Sequence, residues 1–546
     1  MSPSPFTALT RRGFGMMAMA VALASPAAFA QGSPKTGGTL VYLEQQPHTV
    51  LYPPAGGFYP NGGILNQITD KLTYQNPQTL EIEPWIAESW EVSDDTRQYT
   101  FHLRPGVTFS DGTPLDASAV AQNFDTFVLG NKERNLPVSE VVNNYERSEV
   151  LDPLTVRFHF KAPSPGFLQG TSVIGSGLVS PATLKRNFAE LGDARLIVGS
   201  GPFVVESETL GTELVLKVRE DYDWGPAKLA HKGRAHLDGI RYVIVPEDGV
   251  RIGALTSGQG DVVRQIQAYD EDALTSEGFA ISAPSTRGVN NSIVFRPDNP
   301  LVADVKVRQA LLHGTDRQAI VQTLFSKNYP VATSVLASTA LGYVDLSDKL
   351  RFDQTEAARL LDEAGWTVGA SGLREKDGQR LELTAYESLP QPQNRAALQL
   401  VAQQWNMLGV KLNVLGGDAG SAVADNLDPA KTAVSPAMVG RADPDVLKSQ
   451  YYPKNRNVLL QTGGVSDKVR SFRDDTLNGQ LEAIAAETDP AKRLQLAGDV
   501  QRRVVDEAYA IPIFEEPQVY GAAPYVKGLA FEAVGRPSFY GVWLDK

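Results

Sequence analysis

Apolar side chains recur at two different periods along this chain, and the change of period divides it. In "YTFHLRPGVTFSDGTPL" the apolar residues Tyr99, Phe101 and Leu103 alternate with polar ones, the period of a half-buried strand. Asp111-Gly112 then marks a turn, and the pattern predicts strand, turn and strand. "LTVRFHF" alternates again through Val156, Phe158 and Phe160, and "GTLVYLEQQP" reads as an early strand running into a loop. A Gly-rich aromatic stretch, "AGGFYPNGG", follows that loop. Between these strands, "DASAVAQNFDTF" shifts to helical spacing at Val120, Phe124 and Phe127, with Asp116 as its N-cap.

From about residue 286 the pattern becomes helix-rich. "DQTEAARLLDEAGW" is capped by Asp353, with Glu356 three residues on, and stops at Gly365. Ala357, Leu360, Leu361 and Ala364 share its inner face. "RLELTAY", "NRAALQLVAQQWNMLG" and "VKLNVL" read as a βαβ unit whose helix ends at Gly409. Asp489-Pro490 opens a late helix with Leu494, Ala497, Val500 and Val504 on its expected buried face. "IPIFEE" then returns to strand, and the tail after Pro512 is β-like. No tandem repeat or low-complexity segment interrupts this mixed α/β order.

The N-terminus adds a location. Arg11-Arg12 precede an apolar run from Phe14 to Ala24, and Ala28-Phe29-Ala30 supplies a small-x-small cleavage site. Thr10-Arg11-Arg12-Gly13-Phe14 fits a twin-arginine export signal, which predicts residues 1–30 as a cleaved leader. An ordinary secretory peptide is the alternative, and either sends the chain across a bacterial inner membrane. The 546 residues include no cysteine, so disulfides, thiolate metal sites and a lipid-anchoring cysteine are absent. The expected product is periplasmic, soluble and not lipid-anchored. Its formal charge of −12 becomes more negative without the two leader arginines, which disfavours nucleic acid as a partner.

Catalytic signatures are missing from the sequence. It holds no GxSxG, HExxH or Walker loop, and no GxGxxG between strand and helix. His102 and His159 sit within strand patterns, and His231 and His236 lie in a basic loop, "HKGRAH". The acidic pairs Asp94-Asp95 and Glu515-Glu516 read as surface or turn residues. No cofactor and no resident metal is expected, and no enzyme.

A series of segments carries the assignment further. "GGTLVYLEQ", "IEPWIAESWEVSDD", "YTFHLRPGVTFSDGTPLDASAV", "VGSGPFVV" and "LDGIRYVIVPEDGVRIGALTSGQGDVV" are followed by "VKVRQALLHGTDRQAIV", "AARLLDEAGW" and "DPAKRLQLAGDVQRRVVDEAYAIPIF". In this order they resemble the family 5 solute-binding proteins of ABC importers, the dipeptide-, oligopeptide- and nickel-binding group, over nearly the whole chain after residue 30. The resemblance implies a two-lobed periplasmic binding protein fold of type II, in the large form with an extra subdomain in lobe I. Lobe I would take residues 36–285 plus 515–546 and lobe II 286–514, joined by a hinge of two crossing strands. It also implies a monomer that captures a peptide or peptide-like solute between the lobes and delivers it to an ABC permease in the inner membrane. An opine or other anionic solute, or a nickel chelate, remains an alternative ligand, and an exported hydrolase the alternative of another class.

By position, the expected cleft lining is Glu44, Gln45, Phe58, Tyr59, Gln265 and Asn290 from the first half, with Tyr386, Trp405, Met438, Gly440 and Arg441 from the second. For Trp405 a place in the core of its helix packing is the open alternative. The segment "MVGRADPDVL" draws attention because no Asp or Glu lies between Asp428 and Asp443. Peptide-binding relatives usually carry an aspartate just before the matching Asp-Pro, where it pairs with the peptide ammonium. Here Val439, Gly440, Arg441 and Ala442 occupy that place, so Arg441 is expected to meet an anionic group of the ligand. Its alternative is an outward turn onto Asp443 or Asp445 at the surface.

Overall fold

The computed structural model describes residues 33–387, 393–416, 424–462 and 472–546. The export signal expected over residues 1–30 lies outside them. Its central sheet has seven strands, in the order Ala280–Ser282, Tyr520–Ala522, Val262–Arg264, Thr39–Glu44, Gly239–Ile244, Glu213–Val218, Phe203–Thr209. The first strand, Thr39–Glu44, runs parallel to both of its neighbours. Covered on both faces, it is almost continuously apolar from Leu40 to Leu43.

A second, three-stranded sheet places Val289–Phe295 between Val434–Val439 and Ala510–Phe514, all antiparallel. Every residue of Val289–Phe295 is buried. The chain passes between the two sheets twice, from Ser282 to Val289 and from Phe514 to Tyr520. These passages touch, through a β-bridge between Ser285 and Pro517 and a 3.0 Å bond from the Thr286 amide to the Glu516 carbonyl. Gly288, at φ +87°, makes the turn into the second sheet, and a Cβ there would lie 2.3 Å from the Val439 carbonyl oxygen.

An antiparallel sheet of Ala87–Val92, Gln98–Leu103, Thr155–Phe160 and Tyr145–Asp152 is not hydrogen-bonded to either but shares one core with the central sheet. The helix Ala117–Leu129 covers it, started by the Asp116 carboxylate 2.9 Å from the Ala119 amide. Phe101, Phe124, Phe158 and Phe167 pack edge to face or tilted between helix and sheet. The strand expected after the Asp111-Gly112 turn is reduced to a single bridge, Thr108 to Pro114. Arg219 takes the carbonyls of Thr108 and Phe109 at 2.7 and 3.1 Å, so no ladder continues there.

The βαβ unit of the second half forms as its pattern predicts, with Glu382–Tyr386 parallel to Lys411–Leu415 and Gln393–Met407 between them. The Asp353 side chain accepts from the Glu356 amide at 2.9 Å and opens Gln354–Glu363. Asp489 caps Pro490–Asp506 in the same way. On that helix one expectation is corrected: Leu494 is 40% exposed, while Ala497, Val500 and Val504 are buried. The inner position beside Leu494 belongs to Arg493, which reaches a pair of buried aspartates. Among the described residues, no helix is long and apolar enough to cross a membrane.

Candidate functional site

A cavity of about 510 Å³ opens where the two sheets face each other beside the double passage. That is within the range of small-molecule sites, roughly 300–1,000 Å³. Three segments before residue 286 supply one wall: Gln46, the stretch from Pro54 to Pro60, and Arg264-Gln265. Pro436 to Gly440, Gln450, Arg456 and Val458 supply the facing wall. Glu516 and Gln518, on the second passage, and Arg536 complete the lining. The walls already touch: the Arg456 guanidinium lies 2.8 Å from Glu140, and the Asn143 amide donates to Asp445 at 3.1 Å.

Tyr59 is the aromatic centre of the first wall. Two guanidinium groups lie over its ring, Arg536 at 4.6 Å and Arg264 at 5.8 Å from the centroid. Its hydroxyl donates to the Val534 carbonyl at 2.5 Å. Neither arginine is a free charge. Arg264 binds Glu44 through Nε and Nη2 at 2.8 to 3.0 Å and donates Nη1 to Gln518 at 2.9 Å. Arg536 pairs with Glu532 at 2.6 Å and also donates to the Gly56 and Gly57 carbonyls. Burial opposes the charge of Arg264, but the Glu44 carboxylate outweighs it and holds the guanidinium protonated. This buried lattice fixes the ring of Tyr59 rigidly.

Gln265, one residue past Arg264, adopts φ +58°, a left-handed conformation unusual for a residue with a side chain. Its Oε1 has no hydrogen-bond partner among the described residues. On the facing wall, Gln450 is fully buried at the border of the cavity, and neither atom of its carboxamide has such a partner.

Five of the residues expected at the cleft therefore line it: Phe58, Tyr59, Gln265, Met438 and Gly440. The others sit elsewhere. Glu44 lies behind the wall as the partner of Arg264, and Gln45 donates from its backbone to Glu44 and from its side chain to Asp248. Asn290 is buried and donates to the Ser334 carbonyl at 3.0 Å. Tyr386 donates to Asp425 at 2.5 Å. Trp405 is a core residue: it is fully buried, stacks on Phe295 at 6.3 Å and donates to Thr315 at 2.9 Å.

Arg441 is not among the lining residues, nor does it turn to the surface. It is buried, donating Nη1 to the Ser449 hydroxyl at 3.0 Å, and its Nε and Nη2 find no partner among the described residues. Asp443 and Asp445, its expected surface partners, are buried as well and are held by Arg493 at 2.6 and 3.0 Å. Burial pushes the Asp443 carboxyl up, but Arg493 and then Arg441 pull it down further, leaving it ionised. Arg441 thus contributes to a charge cluster behind the facing wall.

Glu516 is the residue the sequence pattern missed. Instead of a surface pair, Glu515 is buried and accepts from the Ser338 amide at 3.0 Å, while Glu516 lines the cavity. Only the end of an apolar strand, "IPIF", just before them hinted at enclosure.

A cavity lined by segments from before residue 286 and from after residue 435, beside two adjacent chain passages, is the geometry of a solute trap. The model of the bacterial extracellular solute-binding proteins, family 5 (Middle) matches residues 81–457. The chain belongs to this family. Among its relatives, the glutathione-binding protein GsiB of Escherichia coli O1:K1 / APEC is 27% identical over 533 residues, 94% of each chain. NikA from Brucella suis, solved in complex with Fe(III)-EDTA, superposes with a TM-score of 0.75 at 25% identity, covering 92% of this chain and 99% of that one. A dipeptide-binding protein from Pseudoalteromonas sp. SM9913, solved with Met-Leu, superposes with a TM-score of 0.77 at 20% identity, covering 93% and 100%. The family 5 fold is accordingly that of a solute-binding protein of ABC importers, whose members take small molecules.

Proposed function

We propose that this family 5 protein is a periplasmic carrier of a short peptide-like solute, exported by the twin-arginine route and acting as a monomer that hands its ligand to an ABC permease. The observation that carries this reading is the two-sided cavity. Tyr59 and Gln265 face Met438 and Gly440 across it, so a solute there gains contacts from both walls only when they are close. Lobes divided near residues 286 and 515 would rotate about the two passages. Reduced glutathione is the first candidate ligand, because relatives aligned over most of the chain include glutathione-binding proteins. It offers peptide groups for the carboxamides together with an ammonium and carboxylates for a cleft rich in charged groups.

Calorimetric titration of the mature protein tests the ligand class. The panel is reduced glutathione, Met-Leu, an opine and a nickel–histidine complex. Micromolar or tighter binding of glutathione or Met-Leu is expected, and Tyr59→Ala should weaken it by more than its loss of folding stability explains. Binding of the nickel complex or the opine alone would replace the peptide-like ligand by the corresponding alternative.

A further inference from the structure

Four charged side chains line the cavity: Arg264, Arg456, Glu516 and Arg536. The three arginines are each engaged by a carboxylate outside the lining, Glu44, Glu140 and Glu532 respectively. Glu516 is different. Its Oε2 accepts the side-chain amide of Asn291, and among the described residues it has no ion pair, its Oε1 receiving no hydrogen bond. It is partly exposed, on the second passage between the two sheets, and no other carboxylate lines the cavity. A carboxylate held in a partly dry cavity with only a neutral amide on it is incompletely compensated, and a cation supplied by the ligand completes it.

We infer that Glu516 is the ligand's cation receptor, its free carboxylate oxygen taking the primary ammonium of a peptide-like solute. This rests on the peptide-like reading above and adds an orientation: the amino end points at the double passage, and the remainder extends between Tyr59 and the Met438–Gly440 wall. An ammonium at the passage bridges both bodies at once, because Glu516 belongs to the returning chain and Asn291 to the outgoing one.

A pH dependence follows. Burial pushes the Glu516 carboxyl up to about 7, against the opposing pulls of Asn291 and Arg264. The groups facing it are Asn291 on the outgoing strand, Arg264 and Tyr59 on the first wall, and Tyr329. Both tyrosines are held protonated by burial, so near neutrality Glu516 itself is the group that titrates. An ammonium stabilises the carboxylate, so the bound form has the lower pKa and binding near pH 7 releases a proton. Affinity should fall by up to about tenfold per pH unit below 7.

The test is calorimetry at pH 7 with reduced glutathione and Met-Leu, each with its N-acetyl derivative, on the wild type and Glu516→Gln. Glu516→Gln retains an acceptor for Asn291, and an unchanged melting temperature without ligand shows that it folds. The expected result is a loss of tenfold or more on N-acetylation for the wild type, a similar loss for Glu516→Gln with the free amines, and no further loss when both changes combine. Glu516→Asp should recover part of the affinity. Proton release, seen as an enthalpy that varies between buffers for the wild type and not for Glu516→Gln, would support the same assignment. Tight binding of free and N-acetylated probes alike overturns the role of Glu516 while leaving the peptide-like ligand standing. Failure of all four probes, with the opine or nickel–histidine complex bound instead, overturns both.

Discussion

Asp443 and Arg493 show how much of the cleft depends on residues that never meet a ligand. The pair is nearly enclosed, and the same guanidinium also reaches Asp445. Removing that shared cation leaves two buried carboxylates without it, so Arg493→Ala should destabilise the protein by roughly 3–5 kcal/mol in denaturant unfolding. Arg441, with Asp443 in its field and Ser449 as its bonded partner, belongs to the same cluster. Arg441→Ala is therefore expected to lower the melting temperature while changing affinity for glutathione or Met-Leu by less than about threefold. A tenfold loss of affinity with an unchanged melting temperature would put the guanidinium on the ligand instead. The sequence correctly marks this segment as unusual, since a carboxylate-free run ending in arginine is plain to read. It does not reveal that Asp443 and Asp445 already have a cation, because Arg493 arrives from fifty residues away on another helix.

At the scale of elements, caps and periodicity made the secondary structure legible. Asp116, Asp353 and Asp489 each accept from the backbone at the helix start they were expected to open. Asp489→Ala should cost about 1 kcal/mol. On the same helix Val500→Ala should cost roughly 2 kcal/mol, whereas Leu494→Ala should be close to neutral because Leu494 is exposed. Comparison of the three unfolding midpoints checks that order, and a Leu494 effect as large as that of Val500 would contradict it. Leu494 was misread because helical spacing counts apolar residues, and here a buried arginine takes the inner place next to it. Glu516 was misread for the complementary reason. Adjacent carboxylates after a strand usually mark a surface turn, but this strand runs into a passage between two bodies, and passages are tertiary facts. The cavity-lining places of Phe58, Tyr59, Gln265, Met438 and Gly440 follow main-chain position, which the order of segments makes legible. Those whose role turns on side-chain direction, Glu44, Asn290 and Trp405, were not.

For the whole molecule, capture by closure requires that the structures on either side of the cavity move as units. The passages are short and bonded to each other, and Arg287 ties the outgoing one to the first body through the Pro77 and Ala533 carbonyls. Such a joint permits rotation and resists sliding. The walls meet through the half-exposed pair Arg456–Glu140, weak enough to part, and through the bond from Asn143 to the buried Asp445. Small-angle scattering of the mature protein, without ligand and at saturation with whichever of reduced glutathione or Met-Leu binds more tightly, measures the motion directly. Closure gives a smaller radius of gyration with ligand and leaves the far-ultraviolet circular dichroism spectrum unchanged. An identical radius of gyration at verified saturation would contradict it.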